Sequence, residues 1–383
     1  MPLIFTITIT GILANTLVGP AIPDILDAFD RPDSSAGLFV AAGTLPGILM
    51  APVIGVLADR LGRRAVLVPC LTAFGLFGLL SALAPSFEVL LGLRVLQGLG
   101  SAGLINLAVV LIGDHWSGFE RSRRVGQNAA VLTVSLAVFP PLGGLLAELG
   151  GWRWSFAPYV VGLVTAVFIW NRLDPNRPLD AVGLREQLGG ARVAVRQRDV
   201  LGSISIGFIL FMLIFGLFLT ALPVHLEREF GLGAGWRGLV LAAPALTSTI
   251  AALRLSRLRG RYGAVRMIAI AGGLFTMAFL VMGVAGSLPV LLLGAMIYGL
   301  GEGICIPTLQ DVVTGTAPAA QRGAVVAIWV GAARAGQTIG PLAAGAVYGA
   351  TSTGATFVVG GGLAGCILVA QVVGRFGAEL DAS

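Results

Sequence analysis

A chain of 383 residues has room for two or three soluble domains, but 56% of it is hydrophobic and only 11% is charged. Globular proteins carry about 25% charged residues, so a mean hydropathy of +0.91 excludes a water-soluble fold. The formal net charge of +6 reads, in so apolar a chain, as a mark of orientation in a bilayer and not of nucleic-acid binding.

Residues 1–23, 34–58, 65–87, 95–113, 125–147, 200–224 and 335–374 contain no Asp, Glu, Lys or Arg. A helix of about 20 apolar residues crosses a bilayer core. With charge clusters and Gly/Pro breaks as loop markers, spans are predicted near 3–22, 35–57, 66–84, 88–112, 126–147 and 154–171. A charged segment comes next, and spans resume near 200–222, 237–253, 267–286, 288–312, 323–346 and 354–374. The first span lacks a basic leader and runs on through Asn15, Pro20 and Pro23, so it reads as retained and not as a cleaved signal.

All 25 basic residues are arginine. Nineteen fall in loops on one side: Arg60, Arg63, Arg64, Arg121, Arg123, Arg124, six from Arg172 to Arg198, five from Arg254 to Arg266, Arg322 and Arg375. Only Arg31, Arg153, Arg228 and Arg237 fall on the other, and Arg94 and Arg334 lie within spans. The rich side is therefore expected to be cytoplasmic, with both termini there, in a cell membrane. Cys70, Cys305 and Cys366 sit far apart in apolar runs as small hydrophobes, and His115 and His225 fall in loops on opposite sides. Neither set forms a metal site or disulfide framework. "GLGSAG" and "GLGEGI" lie inside spans, where a dinucleotide fingerprint has no strand-to-helix turn. No enzyme constellation and no cofactor is expected.

One register of self-similarity persists at an offset of 201: Phe29 with Phe230, Gly62 with Gly263, Gly98-Leu99-Gly100 with Gly299-Leu300-Gly301, Arg121 with Arg322, Pro140 with Pro341, Gly144 with Gly345. The chain reads as two six-helix halves, 1–172 and 200–383, joined by a linker at 173–199. Paired halves of this kind build transporters that bind substrate near the midplane.

The stretch "GVLADRLGRRAVL" carries Gly55, Asp59, Arg60, Gly62, Arg63 and Arg64 between the second and third spans; "LLGLRVLQGLG" carries Arg94, Gln97 and Gly98 in the fourth. On these motifs the whole chain resembles the major facilitator superfamily, and within it the twelve-span drug:proton antiporter group. The fold class implied is an all-α membrane protein of twelve helices in two pseudo-symmetric six-helix bundles. The span-five antiporter motif keeps Gly126, Pro140, Gly143 and Gly144, with Ser135 and Phe139 where the family has glycine. Span eleven, "GQTIGPLAAG", has Gly336, Gly340, Pro341 and Gly345 at the equivalent places. The resemblance implies that Asp59 acts as half of a conformational latch, offering its carboxylate to the positive N-terminal end of span eleven near Arg322, with Asp114 pairing Arg63 and Arg121 alongside. The repeat mate, "SRLRGRYGAVRMI", keeps Gly263 but has Gly260 where Asp59 stands.

Charges inside spans are expensive and each is a functional candidate. Counted along their helices, Glu302 and Arg334 both lie roughly 17 Å from the cytoplasmic end, which predicts an ion pair with Glu302 as the protonatable group. Arg94 is expected to act in proton coupling, by resemblance, through the first span, which offers Asn15 and Thr16 at depth; Asp24 at the outer mouth is a candidate partner. Asn106, Gln127, Asn128, Tyr298, Gln310, Trp329 and Gln337 are candidates to line a substrate cavity, and bridging between helices explains the amides nearly as well. Three readings stay open: a proton-driven exporter of small, largely apolar compounds working by alternating access as a monomer; a facilitator or importer of a small anionic metabolite; and a non-transporting membrane sensor or partner protein.

Overall fold

The computed structural model describes residues 1–174, 197–316 and 322–378, and these are helical almost throughout, with no strand among them. Most of the expected linker, residues 175–196, lies outside the described residues, as does the side chain of Arg322. The first half runs α1 (Pro2–Thr16), a 3-10 turn (Gly19–Ala21), α2 (Ile22–Ala28), α3 (Ala36–Leu61), α4 (Arg63–Ser81), α5 (Phe87–Ser101), α6 (Leu104–His115), α7 (Gly118–Gly150), a 3-10 segment (Trp152–Tyr159) and α8 (Val160–Arg172). The second runs α9 (Arg198–Leu213), a π-helical segment (Ile214–Ala221), α10 (Leu222–Arg228), α11 (Ala234–Ala242), α12 (Pro244–Gly283), α13 (Leu288–Thr316), α14 (Arg322–Ala350) and α15 (Thr353–Gly374).

Ten helical stretches among the described residues are long and apolar enough to cross a membrane. The longest, Ala234–Gly283, holds 50 residues, about twice what a bilayer core needs. It bends at Gly263, whose φ of 76° and ψ of 169° leave the helical region inside α12. Leu49, Leu149 and Leu253 are at least 75% exposed, a waste of apolar surface in water and the expected face toward lipid chains.

The 201-residue repeat is also geometric. Gly62 between α3 and α4 has φ 93° and ψ 152°, the counterpart of Gly263, and both conformations require glycine. Asp30 and Gly231, also 201 apart, both take positive φ, at 50° and 61°. Gly98 on α5 presses on the Gly43 carbonyl of α3, and Gly299 on α13 presses on the Pro244 carbonyl of α12, so both partners of the contact share the offset. Gly100 against Phe74 and Gly301 against Phe275 repeat it again. Helices in lipid gain little by hiding apolar area from water, so close backbone approach at small residues carries the packing.

By contacts the chain divides into one unit of Met1–Ala181 with Leu232–Leu239 and another of Val182–Gly231 with Val240–Ser383. The start of α11 therefore packs with the first unit.

A Cβ on Gly98 would fall 2.5 Å from the Gly43 oxygen, whereas one on Gly92 of the same helix meets nothing within 4 Å. Gly98→Ala should lose about 1–3 kcal/mol through overpacking and Gly92→Ala should lose nothing, read as melting temperature of the detergent-solubilised chain.

Candidate functional site

Within the first unit the polar centre is Arg94 on α5, 2% exposed. Helix α1 stops at Thr16, so its last four carbonyls, from Leu13 on, lack full helical partners. Arg94 Nη1 donates to the Ala14 oxygen at 3.1 Å and to Gln97 Oε1 at 2.6 Å, and Nη2 reaches Asn15 Oδ1 at 3.4 Å. The Tyr159 hydroxyl lies 3.2 Å from the same Ala14 oxygen. The guanidinium lies over the Phe39 ring, 5.0 Å from its centroid, and Gly43 gives it room. The negative end of a broken helix thus takes the place of a carboxylate.

Asp24 does not meet Arg94. It pairs with Arg237 of α11, so the partner anticipated from sequence is corrected. Arg94 is held by α1 and α5, while the Gly19–Ala21 turn sets α2, and Asp24 with it, against α11. Arg237, expected in an outer loop, is 1% exposed. Beside it Glu148 Oε2 accepts the Gly235 amide at 3.0 Å, and the α7 glycine expected in the antiporter motif, Gly144, rests on the Ala234 carbonyl. Gly143 rests on the Leu17 carbonyl, Pro140 is buried with its carbonyl against Gly238, and Gly126 meets nothing within 4 Å.

The loop cluster centres on Arg63, which pairs with Asp59 and whose Nε donates to Asp114 Oδ2 at 3.0 Å. Arg64 lies over Trp170, 4.3 Å from its ring centroid, Arg60 is exposed, Gly55 is open, and Arg121 lies over Gly113. Thr16 turns back on the Ile12 carbonyl. Asn128 accepts from Thr8 at 2.7 Å and Gln127 from Arg124 at 3.2 Å, so both amides bridge or brace helices; Asn106 and Gln310 are exposed.

In the second unit, Glu302 and Arg334 do not form the expected ion pair. The Ser248 hydroxyl of α12 lies beside Glu302, while Arg334 Nη1 donates to Gln337 Oε1 at 3.2 Å. The reason lies in helix pairing: Gly299 and Gly303 seat α13 on Pro244 and Ser248 of α12, whereas Gly336 and Gly340 seat α14 on Phe208 and Met212 of α9. Equal depth put the two charges at one level but in different seams. Pro341 and Gly345 are buried behind Gly340. Tyr298, one turn before Glu302, stacks on Phe218 at 4.3 Å with its hydroxyl buried and unpartnered among the described residues. Trp329 packs edge-on to Phe211 at 6.0 Å, its buried Nε1 beside Gly207.

Sequence reasoning missed three groups. Arg237 opens an apolar run on the arginine-poor side, and that anomaly was the signal. His225, expected in a loop, is buried on α10 with Nδ1 2.7 Å from Thr353 Oγ1; Tyr159 gave no signal. No group of three or more His, Cys, Asp and Glu side chains that could hold a metal occurs among the described residues.

Comparison with known proteins places these features in one family. The family model described as Major Facilitator Superfamily matches residues 4–253 and 204–377. The bacillibactin exporter of Bacillus subtilis is 26% identical over 94% of this chain and 90% of its own length. The class B tetracycline resistance protein of Escherichia coli is 28% identical over 89% of this chain and 86% of its own. Among solved structures, the human organic anion transporter MFSD10 superposes with a TM-score of 0.72 at 24% identity, covering 97% of this chain and 98% of that one.

The Asp24–Arg237 pair is asymmetric, with side chains 43% and 1% exposed. Asp24→Asn takes the Asp24 carboxylate away from a buried cation and should cost about 3 kcal/mol. Arg237→Met leaves a carboxylate that water can reach and should cost about 1 kcal/mol. Thermal unfolding of the two variants checks the order.

Proposed function

The chain belongs to the major facilitator superfamily, and from that premise we propose that it is a secondary active exporter of small, largely apolar compounds, driven by inward proton movement through alternating access. It is a membrane-spanning transporter and not an enzyme. In this reading it crosses a cell membrane twelve times as a monomer with its arginine-rich loops in the cytoplasm. Twelve results from the ten apolar stretches if Ala234–Gly283 counts as two at Gly263 and α14 is added. At 29 residues α14 is long enough to span, and Arg334 and Gln337 lower its hydropathy.

The observation that carries proton coupling is the hydroxyl neighbour of Glu302. A carboxyl beside the Ser248 hydroxyl can be served in both protonation states, because a hydroxyl donates to a carboxylate and accepts from an acid. A fixed arginine partner would have held the group charged. Glu302 sits in mid-helix, whereas the other acids of α13 and its neighbours lie at helix ends. Beside it, Phe218 and Tyr298 stack with both rings buried and give the carboxyl an apolar flank. The names of the exporter relatives point the same way.

The anionic-metabolite reading draws on Arg94, Arg334 and the fold relative described as an organic anion transporter. Arg94 argues against it, since its guanidinium is engaged by Ala14, Asn15 and Gln97.

In vesicles with an imposed pH gradient, the wild type should accumulate lipophilic antibiotics or dyes against their gradient. Glu302→Gln should abolish that accumulation while keeping downhill flux. Unchanged uphill accumulation by Glu302→Gln would remove the proton role; uphill uptake of organic anions instead would favour the second reading.

A further inference from the structure

The loop at Gly263 and its repeat mate at Gly62 share a backbone but not a charge balance. In the first half Asp59 and Asp114 converge on Arg63. In the second, Gly260 replaces the acid, and a Cβ there would meet nothing within 4 Å. The space it leaves belongs to an open cavity of about 1030 Å³, bounded by Arg259, Gly260, Arg261, Arg266, Val372 and Arg375. Four guanidinium groups therefore border one cavity. Asp311 pairs with Arg259; Arg261 lies over Tyr262, 5.4 Å from its ring centroid. Arg261, Arg266 and Arg375 have no carboxylate partner among the described residues.

Concentrated positive charge around a water-filled recess draws an anion with several oxygens, and guanidinium forks match phosphate in particular. The surroundings identify what carries the phosphate. Val372 and Val373 at the end of α15 are 59% and 72% exposed, as are Val369 at 61% and Ile270 at 44%. An apolar face that meets a basic recess at the end of a membrane helix suits a molecule with acyl chains below a phosphate group.

We propose that this cavity is a binding site for the headgroup of an anionic phospholipid, with Arg261, Arg266 and Arg375 holding the phosphate and the exposed α15 valines lying along the acyl chains. The site is distinct from the Glu302 seam and stands whether or not Glu302 carries protons. Gly260 is the specificity device: a carboxylate there would restore the first half's balance and close the site to anions.

The test uses the full chain in neutral detergent, with melting temperature and native mass spectrometry read against added phosphatidylglycerol, phosphatidylcholine and inorganic phosphate. Phosphatidylglycerol should bind about tenfold or more tighter than phosphatidylcholine and raise the melting temperature, and inorganic phosphate should not reproduce the shift. Arg266→Gln with Arg375→Gln should lose the preference, and Arg266→Lys with Arg375→Lys should keep part of it. Gly260→Asp, set in open space, should lose it with the wild-type fold intact, so the test survives misfolding of the double variant. Equal binding of the two lipids, or a preference that persists in Gly260→Asp, overturns the proposal. Full stabilisation by inorganic phosphate overturns it too, since the site would then serve a free anion.

Discussion

Everything in this molecule depends on a solvent that rewards neither apolar contact nor an unpaired polar group. In hydrocarbon, leucine against leucine is worth no more than leucine against lipid, so the helices hold where backbones touch. Gly98 on Gly43, Gly299 on Pro244, Gly303 on Ser248 and Gly340 on Met212 are four such places. The other side of the constraint is that every main-chain and charged group must find a partner within the protein.

The buried arginines show how differently that demand is met. Arg63 takes two carboxylates, Arg237 the carboxylate of Asp24, and Arg94 the carbonyl end of a helix with two amides. The last arrangement depends on the break after Thr16, so the irregularity in α1 and the cation on α5 belong together. An arginine satisfied by dipoles keeps its site free of fixed negative charge, and Glu302, an acid in mid-helix, has a hydroxyl for its neighbour.

The helical plan was largely legible from sequence because a charge-free run of some twenty residues has one meaning. The repeat was legible because glycine is irreplaceable at Gly62 and Gly263, where φ is positive, and at Gly98 and Gly299, where backbones meet. Which charges face one another was not. Depth along a helix can be had by counting residues, but azimuth depends on which neighbour the glycines seat the helix against; hence Glu302 and Arg334 share a level and not a seam. Arg237 was misplaced for a related reason. Composition marked it as a loop residue, and only the packing of α11 beside α2 reveals it as the buried partner of Asp24.

The π-helical segment Ile214–Ala221 has a consequence for the helix that contains it. A residue inserted by a π turn rotates the rest of the helix by about 100° relative to a continuous α-helix. Below the segment, α9 seats Gly336 and Gly340 of α14; above it, α10 turns His225 onto Thr353 of α15. One rod thereby addresses two neighbours from two faces without an intervening loop. The wide turn works as a phase shifter, and a single-residue deletion within it would unscrew one of the two interfaces while leaving the length of the rod nearly unchanged.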